Sequence, residues 1–235
     1  MINKIKALPP NKIPLHVAII MDGNRRWARN KGFPVFYGHK KGVDTVKRIV
    51  EAARKIQIKY LTLYSFSTEN WNRSKKEINM LFSLLKKCIF DYRDELKSND
   101  ISLKVSGAYK EFSSDLVKII DDTISYLADC KSMVLNLALN YGGRKEIVDA
   151  VNKAIKDGVK VITEDEIEKR LYTYPLPFPD LIIRTSGEMR ISNFLIWQSA
   201  YSEFYITKKT WPEFTEDDFY KAILEYSNRE RRMGR

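Results

Sequence analysis

The 235 residues suffice to bury one full core, and no Pro/Gly/Ser-rich linker or shift in composition divides them, so one domain over 1–235 is expected. Lys and Arg total 41 against 30 Asp and Glu; the resulting +11 favours a polyanionic partner, whether nucleic acid, an anionic membrane surface or a phosphorylated metabolite. Two cysteines without CxxC spacing exclude a disulfide framework, and no run approaches the roughly 18 apolar residues of a membrane span, so the expectation is a cytoplasmic protein with at most a loose association with the membrane surface.

Residues 1–14, with Pro9, Pro10 and Pro14, read as an extended lead-in. Val17 to Met21 is a β-branched apolar run too short for a typical helix, and it stops at Asp22-Gly23-Asn24. It reads as a buried strand that delivers one carboxylate to its carboxyl end. Gly23 lets backbone approach a ligand closely, and the planar forks of Arg25 and Arg26 suit phosphate oxygens. An acid and two cations on one turn suit a metal–diphosphate site; the competing reading is an ordinary strand-to-helix turn with a capping Asp.

Lys31 to Pro34 is a loop, and Gly38-His39-Lys40-Lys41-Gly42 opens a helix whose apolar positions Val43, Val46, Ile49, Val50, Ala53 and Ile56 follow helical spacing. A second strand, Tyr60 to Phe66, ends in Ser67-Thr68-Glu69-Asn70-Trp71-Asn72-Arg73. Ser74 with Glu77 forms a capping box for a long helix to about Lys97. Its apolar residues, from Ile78 to Phe90, cover more of the circumference than one core-facing stripe needs. A large core, a dimer interface or the wall of a hydrocarbon channel would each use that excess.

Ile101 to Ser106 is a third strand, Ser113 to Asp129 a helix, and Val134 to Asn140 a fourth strand ending in Tyr141-Gly142-Gly143-Arg144. Helical spacing resumes from Arg144 to about Lys156, and Thr163 with Glu166 caps a short helix to Leu171. The strand Asp180 to Ile183 ends at Arg184-Thr185-Ser186-Gly187-Glu188; Phe194 to Ile206 is ambiguous between helix and strand; Thr215 begins the last helix; 229–235 is a basic tail. Alternating strands and helices predict an α/β fold with a largely parallel central sheet, flanked by helices on both faces. Ligands of such sheets sit beyond the carboxyl ends of the strands, and four of these ends pool carboxylates, amides, hydroxyls, glycines and arginines. That set describes a pocket for one or two diphosphates with a divalent cation.

The segments HVAIIMDGNRRWA, GHKKG, LTLYSFSTENWNR, LNLALNYGGR, DLIIRTSGEMRISNFLIWQSAYSEFY and WPEF with NRERRMGR span nearly the whole chain. In these segments it resembles the cis-prenyltransferase family, and above all the bacterial members that make undecaprenyl diphosphate, a lipid carrier for cell-wall synthesis. The resemblance implies Mg2+-dependent condensation of an allylic diphosphate, typically farnesyl diphosphate, with successive isopentenyl diphosphates. It also implies a homodimer, a hydrophobic tunnel beside the sheet with the long helix as a wall, and release of product to the membrane surface. By motif position, Asp22 is the essential carboxylate for metal and diphosphate, and Gly23, Asn24, Arg25, Arg26, Trp27 and His39 hold the allylic diphosphate. Ser67, Thr68, Glu69, Asn70, Trp71 and Arg73 form a second segment, in which Asn70 assists proton removal by orienting a diphosphate oxygen or water. Arg184, Arg190, Ile191 and Ser192 grip isopentenyl diphosphate, Glu203 is a second metal-associated carboxylate, and Arg232-Met233-Gly234 reaches the partner's site.

The chain departs from the family pattern at Arg25, often glycine, at Val35, often arginine, at Met189, often His or Gln, and at Ser74, usually proline. Arg25 or Lys40 could stand in for the arginine missing at Val35, and Met133 with the long helix could set product length. Among rivals, a phosphate hydrolase wants a second Asp at position 24, where Asn stands, and a trans-prenyl synthase wants a DDxxD motif, which is missing. A nucleic-acid-binding protein lacks a recognisable signature, leaving no nucleic acid among the expected partners. A non-catalytic or short-chain homologue is the remaining alternative.

Overall fold

The computed structural model describes residues 1–230. Five of the expected strands form: β1 (His16–Ile20), β2 (Tyr60–Ser67), β3 (Ile101–Ser106), β4 (Met133–Tyr141) and β5 (Leu181–Arg184). The ambiguous stretch 194–206 resolves into turns followed by β6 (Glu203–Ile206). Ser192, Asn193 and Leu195 all have positive φ, so the chain just before β6 can continue neither a helix nor a strand. The sheet order is β3-β4-β2-β1-β5-β6, and every pairing is parallel. All carboxyl ends therefore share one edge.

Helices α1 (Ile2–Lys6), α2 (Asn24–Asn30), α3 (Val35–Lys55), α4 (Lys75–Ser98), α5 (Ser114–Tyr126), α6 (Gly143–Lys156), α7 (Glu164–Glu168) and α8 (Glu216–Ser227) complete the fold. The lead-in is not extended: α1 forms there, and Ile5 is fully buried against the main core. The prolines only set the following turn, Pro10–Lys12. α3 starts at Val35 rather than Gly38, because Pro34 takes the cap position, where its missing N–H costs nothing. Gly38 and Gly42 then let α2 lie directly on α3. A Cβ on Gly38 would fall 2.0 Å from the Asn24 carbonyl oxygen, and one on Gly42 would fall 2.4 Å from Asn24 Oδ1.

Strand alternation sorts the core. Val17, Ile19, Leu61, Leu63, Leu137 and Ile183 enter a large cluster with residues of α3, α5 and α8. Ala18, Ile20, Ala138 and Ile182 enter a smaller one with Phe194 and Leu195. Truncating a fully buried leucine such as Leu63 to alanine would cost about 2–5 kcal/mol. Trp211 ties the last segment back: its indole donates to the Gly42 carbonyl at 2.9 Å, and its backbone N–H donates to the Asp22 carbonyl at 2.9 Å.

Candidate functional site

The carboxyl ends of β1 and β5 are neighbours in the sheet, with Ile20 in register with Arg184. That register brings Asp22 to Arg184: the guanidinium Nη2 donates to Asp22 Oδ2 at 2.9 Å. The Arg184 side chain is 5% exposed and that of Asp22 is 33% exposed, so a buried cation is held by a carboxylate that still faces solvent. Arg184 Nη1 donates to Ser192 Oγ at 2.7 Å and to the Arg190 carbonyl, which fixes the 190–192 loop over the strand end. Gly23 is required at this turn. Its φ is +101°, and a Cβ there would lie 2.7 Å from Ser186 Oγ.

Arg26 leaves the first turn of α2 and donates to the Ser186 carbonyl and to Glu188, both at 2.8 Å. Glu188 also accepts from Arg190 at 2.7 Å. The hydrogen bond from Arg26 and the charge of Arg190 hold the Glu188 carboxyl below its ordinary range. One acid thus bridges two arginines whose geometry suits phosphate.

A second acid gathers the other cations. Glu77 accepts from Arg73 at 3.1 Å and lies 3.8 Å from both Arg25 Nε and His39 Nε2. The Ser74 hydroxyl does accept from the Glu77 backbone N–H, at 3.3 Å, but the carboxylate turns to these cations rather than back to the cap. Burial first, and the Arg73 charge next, push the His39 pKa down to about 4, so the ring is neutral at pH 7. Burial also lowers Arg73 from its ordinary value.

The end of β2 is irregular, with register shifts at Tyr64, Phe66 and Ser67, and such a break re-aims the residues that follow. Ser67 and Asn70 cap a single turn, Thr68–Asn72, in which Asn70 Oδ1 accepts from the Ser67 N–H at 3.1 Å. Glu69 accepts from Asn193 at 2.7 Å. Thr68 packs on Gly142, where a Cβ would fall 2.5 Å from its hydroxyl. Asn193 also receives the Gly143 and Arg144 N–H groups, at 2.7 and 2.9 Å, tying the ends of β2 and β4 to the 190–195 loop. Trp71 donates to Asn140 Oδ1 at 2.8 Å and packs its ring among Phe66, Phe82 and Phe112.

Beside this polar edge lies a cavity of about 370 Å3 between the sheet, α3 and α4. Its lining runs from Met21, Asn24 and His39 at the carboxyl edge past Leu85, Cys88 and Leu137 to Glu95 and Asn99. α3 lines it from His39 to Arg54, about 22 Å at 1.5 Å per residue. Leu81, Phe82, Leu84, Leu85, Cys88 and Ile89 of α4 face this space, whereas Phe90 is exposed. Met133 is buried in the core and is not among the residues that line this cavity.

The structure brings Asp22, Gly23, Asn24, Arg25, Arg26, His39, Arg73, Arg184, Arg190 and Ser192, with the Ser67–Trp71 segment, to one edge. Three residues sit differently from their sequence reading. The Trp27 ring packs toward Phe33 at 5.9 Å, and Ile191 packs against the smaller core cluster beneath its loop. Glu203 starts β6 in register with Leu181, at the amino-terminal edge, and accepts from Arg229 at 2.8 Å. It therefore lies on the order of 10 Å or more along the strands from the Asp22 end of the same protomer. Arg229 at the start of the basic tail is engaged in this pair; Arg232-Met233-Gly234 lies outside the described residues. Glu77, Glu188 and Asn193 belong to the site although sequence reading gave them no binding role; all three fall inside or beside the motifs quoted above.

The family described as "Putative undecaprenyl diphosphate synthase" matches residues 20–234. The chain is 50% identical over 222 residues to an isoprenyl transferase of Fusobacterium nucleatum, covering 94% of this chain and 96% of that one. It is 46% identical over 230 residues to an isoprenyl transferase of Clostridium perfringens, covering 95% and 91%. Among solved structures, it is similar to lavandulyl diphosphate synthase from Lavandula x intermedia in complex with dimethylallyl diphosphate, at a TM-score of 0.92 and 36% identity, covering 96% of this chain and 100% of that one. It is also similar to a probable undecaprenyl diphosphate synthase from Campylobacter jejuni, at a TM-score of 0.81 and 32% identity, covering 94% and 99%. With its fold and nearly its whole length shared with these proteins, the chain belongs to the isoprenyl transferase family of cis-prenyltransferases.

Proposed function

We propose that this protein is a Mg2+-dependent cis-prenyltransferase that adds isopentenyl diphosphate units to an allylic diphosphate, typically farnesyl diphosphate, and makes a long-chain polyprenyl diphosphate of the undecaprenyl type for cell-wall lipid carrier synthesis. The observation that carries the reading is adjacency: Met21, Asn24 and His39, which flank Asp22 and the charged edge, also line one end of the apolar cavity. A diphosphate head and a hydrocarbon tail need that pairing of environments. The length of the cavity favours a long product over a short one, although the lavandulyl diphosphate synthase shares the fold closely.

For the cation, the chain offers the partly exposed carboxylate of Asp22, and among the described residues no cluster of three His, Cys, Asp or Glu surrounds a metal position. That donor set fits Mg2+, which keeps several waters and completes its shell with substrate phosphates instead of a protein cage. Asp22 would hold the ion, which when bound supplies positive charge against the diphosphates. The chain's own groups do the rest. Arg26 and Arg190 exchange Glu188 for diphosphate oxygens, and Arg184 stays fixed beneath them. Asn70 has its carbonyl oxygen occupied by the Ser67 N–H, so its NH2 donates to a diphosphate oxygen or a water. A neutral amide is a poor base, and the oxygen it orients takes the C2 proton of isopentenyl diphosphate.

A homodimer completes the proposal. β6 is an edge strand, and Tyr201 just before it and Phe204 within it expose apolar surface. A metal-associated role for Glu203 requires a partner protomer, because within one chain β6 places it at the opposite edge. Among the described residues no helix is long and apolar enough to cross a membrane. Incubation with farnesyl diphosphate, labelled isopentenyl diphosphate and Mg2+ should yield a butanol-extractable product whose length chromatography reports. No incorporation would sink the reading; a single condensation would turn it to a short-chain synthase.

A further inference from the structure

From Gly23 to Val43 the sequence holds six Lys or Arg residues and no Asp or Glu. The same stretch exposes three large aromatic side chains: Phe33 at 48%, Phe36 at 42% and Tyr37 at 53%. They are contiguous. The Phe33 and Tyr37 rings lie 5.7 Å apart, Phe36 and Tyr37 6.1 Å, and Phe33 leans on Trp27 at 5.9 Å. Arg29, Lys31 and Lys40 are exposed around them. Aromatic rings left in water beside one another cost free energy unless something covers them in use.

The flanking charge identifies what covers them. Arg25, Arg26 and Lys41 are paired with Glu77, Glu188 and Asp44, but the exposed charges beside the rings, Arg29, Lys31 and Lys40, are all cationic, and their complement is a surface of uniform negative charge. Aromatic side chains sit favourably at the lipid headgroup level, and nearby Lys and Arg add attraction to anionic headgroups. We infer that the surface formed by Phe33, Phe36, Tyr37 and the surrounding cations docks the protein onto an anionic lipid bilayer. This rests on the proposed function for its purpose. Phe36 and Tyr37 occupy the first turn of α3, just ahead of His39, which lines the end of the cavity at the carboxyl edge, so docking brings that end toward the lipid. A polyprenyl tail then passes to the bilayer without crossing water, a step that each exposed CH2 would oppose.

Co-sedimentation with vesicles tests the docking without any turnover, using wild type and three variants: F33S/F36S/Y37S, R29Q/K31Q, and K55Q/K59Q at the opposite edge of the sheet. Wild type should bind phosphatidylcholine–phosphatidylglycerol vesicles in a salt-sensitive manner and pure phosphatidylcholine weakly. The aromatic variant should lose on the order of tenfold or more in partitioning, R29Q/K31Q should lose about fivefold per charge, and K55Q/K59Q should match wild type. Thermal melts near that of wild type establish that the exposed substitutions leave the fold intact. Wild type that ignores anionic vesicles, or equal losses in K55Q/K59Q and R29Q/K31Q, would overturn the inference. So would an aromatic variant that keeps vesicle binding and changes oligomeric state instead, since the patch would then be a contact between protein chains. Failure of the prenyl-transfer assay would remove the proposed function and leave the vesicle result standing.

Discussion

The two faces of the sheet are built from the same strands and do opposite things. On the α3–α4 face, Leu63, Leu103, Leu135, Leu137 and Leu139 border an open cavity and make only apolar contacts with their side chains. On the other face, the alternate residues form a polar ladder. His16 donates from Nδ1 to the Pro177 carbonyl at 2.6 Å and accepts from the Thr62 hydroxyl at 2.7 Å. Thr62 accepts from Asn136 at 3.1 Å, and Asn136 accepts from Ser106 at 2.9 Å. The buried Glu146, bonded by Tyr141 and Gln198, locks the same side further along. Apolar contacts are non-directional and let α3 and α4 adjust around the cavity, whereas buried hydrogen bonds tolerate no slippage. One face is left free to accommodate, and the other holds the strand ends in register.

The largest effect is expected where the faces meet, at the carboxyl edge. Asp22→Ala removes the carboxylate that pairs with Arg184 and strands that buried cation. Turnover should fall by about 1000-fold, or about 4 kcal/mol in transition-state stabilisation, as read by isopentenyl incorporation. Circular dichroism should still report a folded protein. Full activity in this variant would take Asp22 out of the mechanism and the edge out of the comparison.

Acid should unlock the polar face next. Burial pushes His16 down to about 4 from 6.5. The unfolded chain therefore takes up a proton in the window between those values while the folded chain does not. Stability is full above pH 6.5 and declines as pH falls to 4, by about 3 kcal/mol for His16. Denaturant melts across that window measure the slope, and His16→Gln should remove its share. His39 adds a similar slope, which an added diphosphate should reduce by favouring the protonated ring. An unchanged slope in His16→Gln would mean that the ladder is not held by a neutral imidazole. Asn136→Ala, which takes a donor from Thr62 and an acceptor from Ser106, should cost about 2 kcal/mol with product length unchanged.

Much of this arrangement was legible in the sequence. Short β-branched runs that end in Asp-Gly or Gly-Gly announce buried strands and the edge at which ligands sit, and the site residues at the ends of β1, β2 and β5 follow from that. The rest depends on neighbours that sequence spacing does not reveal. Glu188 meets Arg26 across 162 positions of chain. A capping-box spacing accounts for the Glu77 backbone and misdirects its carboxylate. Glu203 sits in a β6 too short for apolar pattern to mark its direction, and only the pairing with β5 puts it at the far edge. The three prolines near the start suggested an extended lead-in, but the burial of Ile5 outweighs them locally.

The finest test uses matched enlargements on the two faces. Cys88 lines the cavity partway along α4, and burial pushes its thiol up to about 11, so it behaves there as a small neutral apolar group. Cys88→Leu grows into existing space and should shift stability by less than about 1 kcal/mol. The first condensation should proceed at the wild-type rate, because the diphosphate edge is untouched, while chromatography should show shorter products as the added side chain stops the tail. Ala138→Leu, on β4 facing the smaller cluster, has no such space: Ala138 is fully buried, and overpacking there should cost about 1–3 kcal/mol without shortening the product. If Cys88→Leu leaves product length unchanged, the cavity is not the path of the hydrocarbon. If Ala138→Leu shortens it instead, the open and locked faces have been assigned the wrong way round.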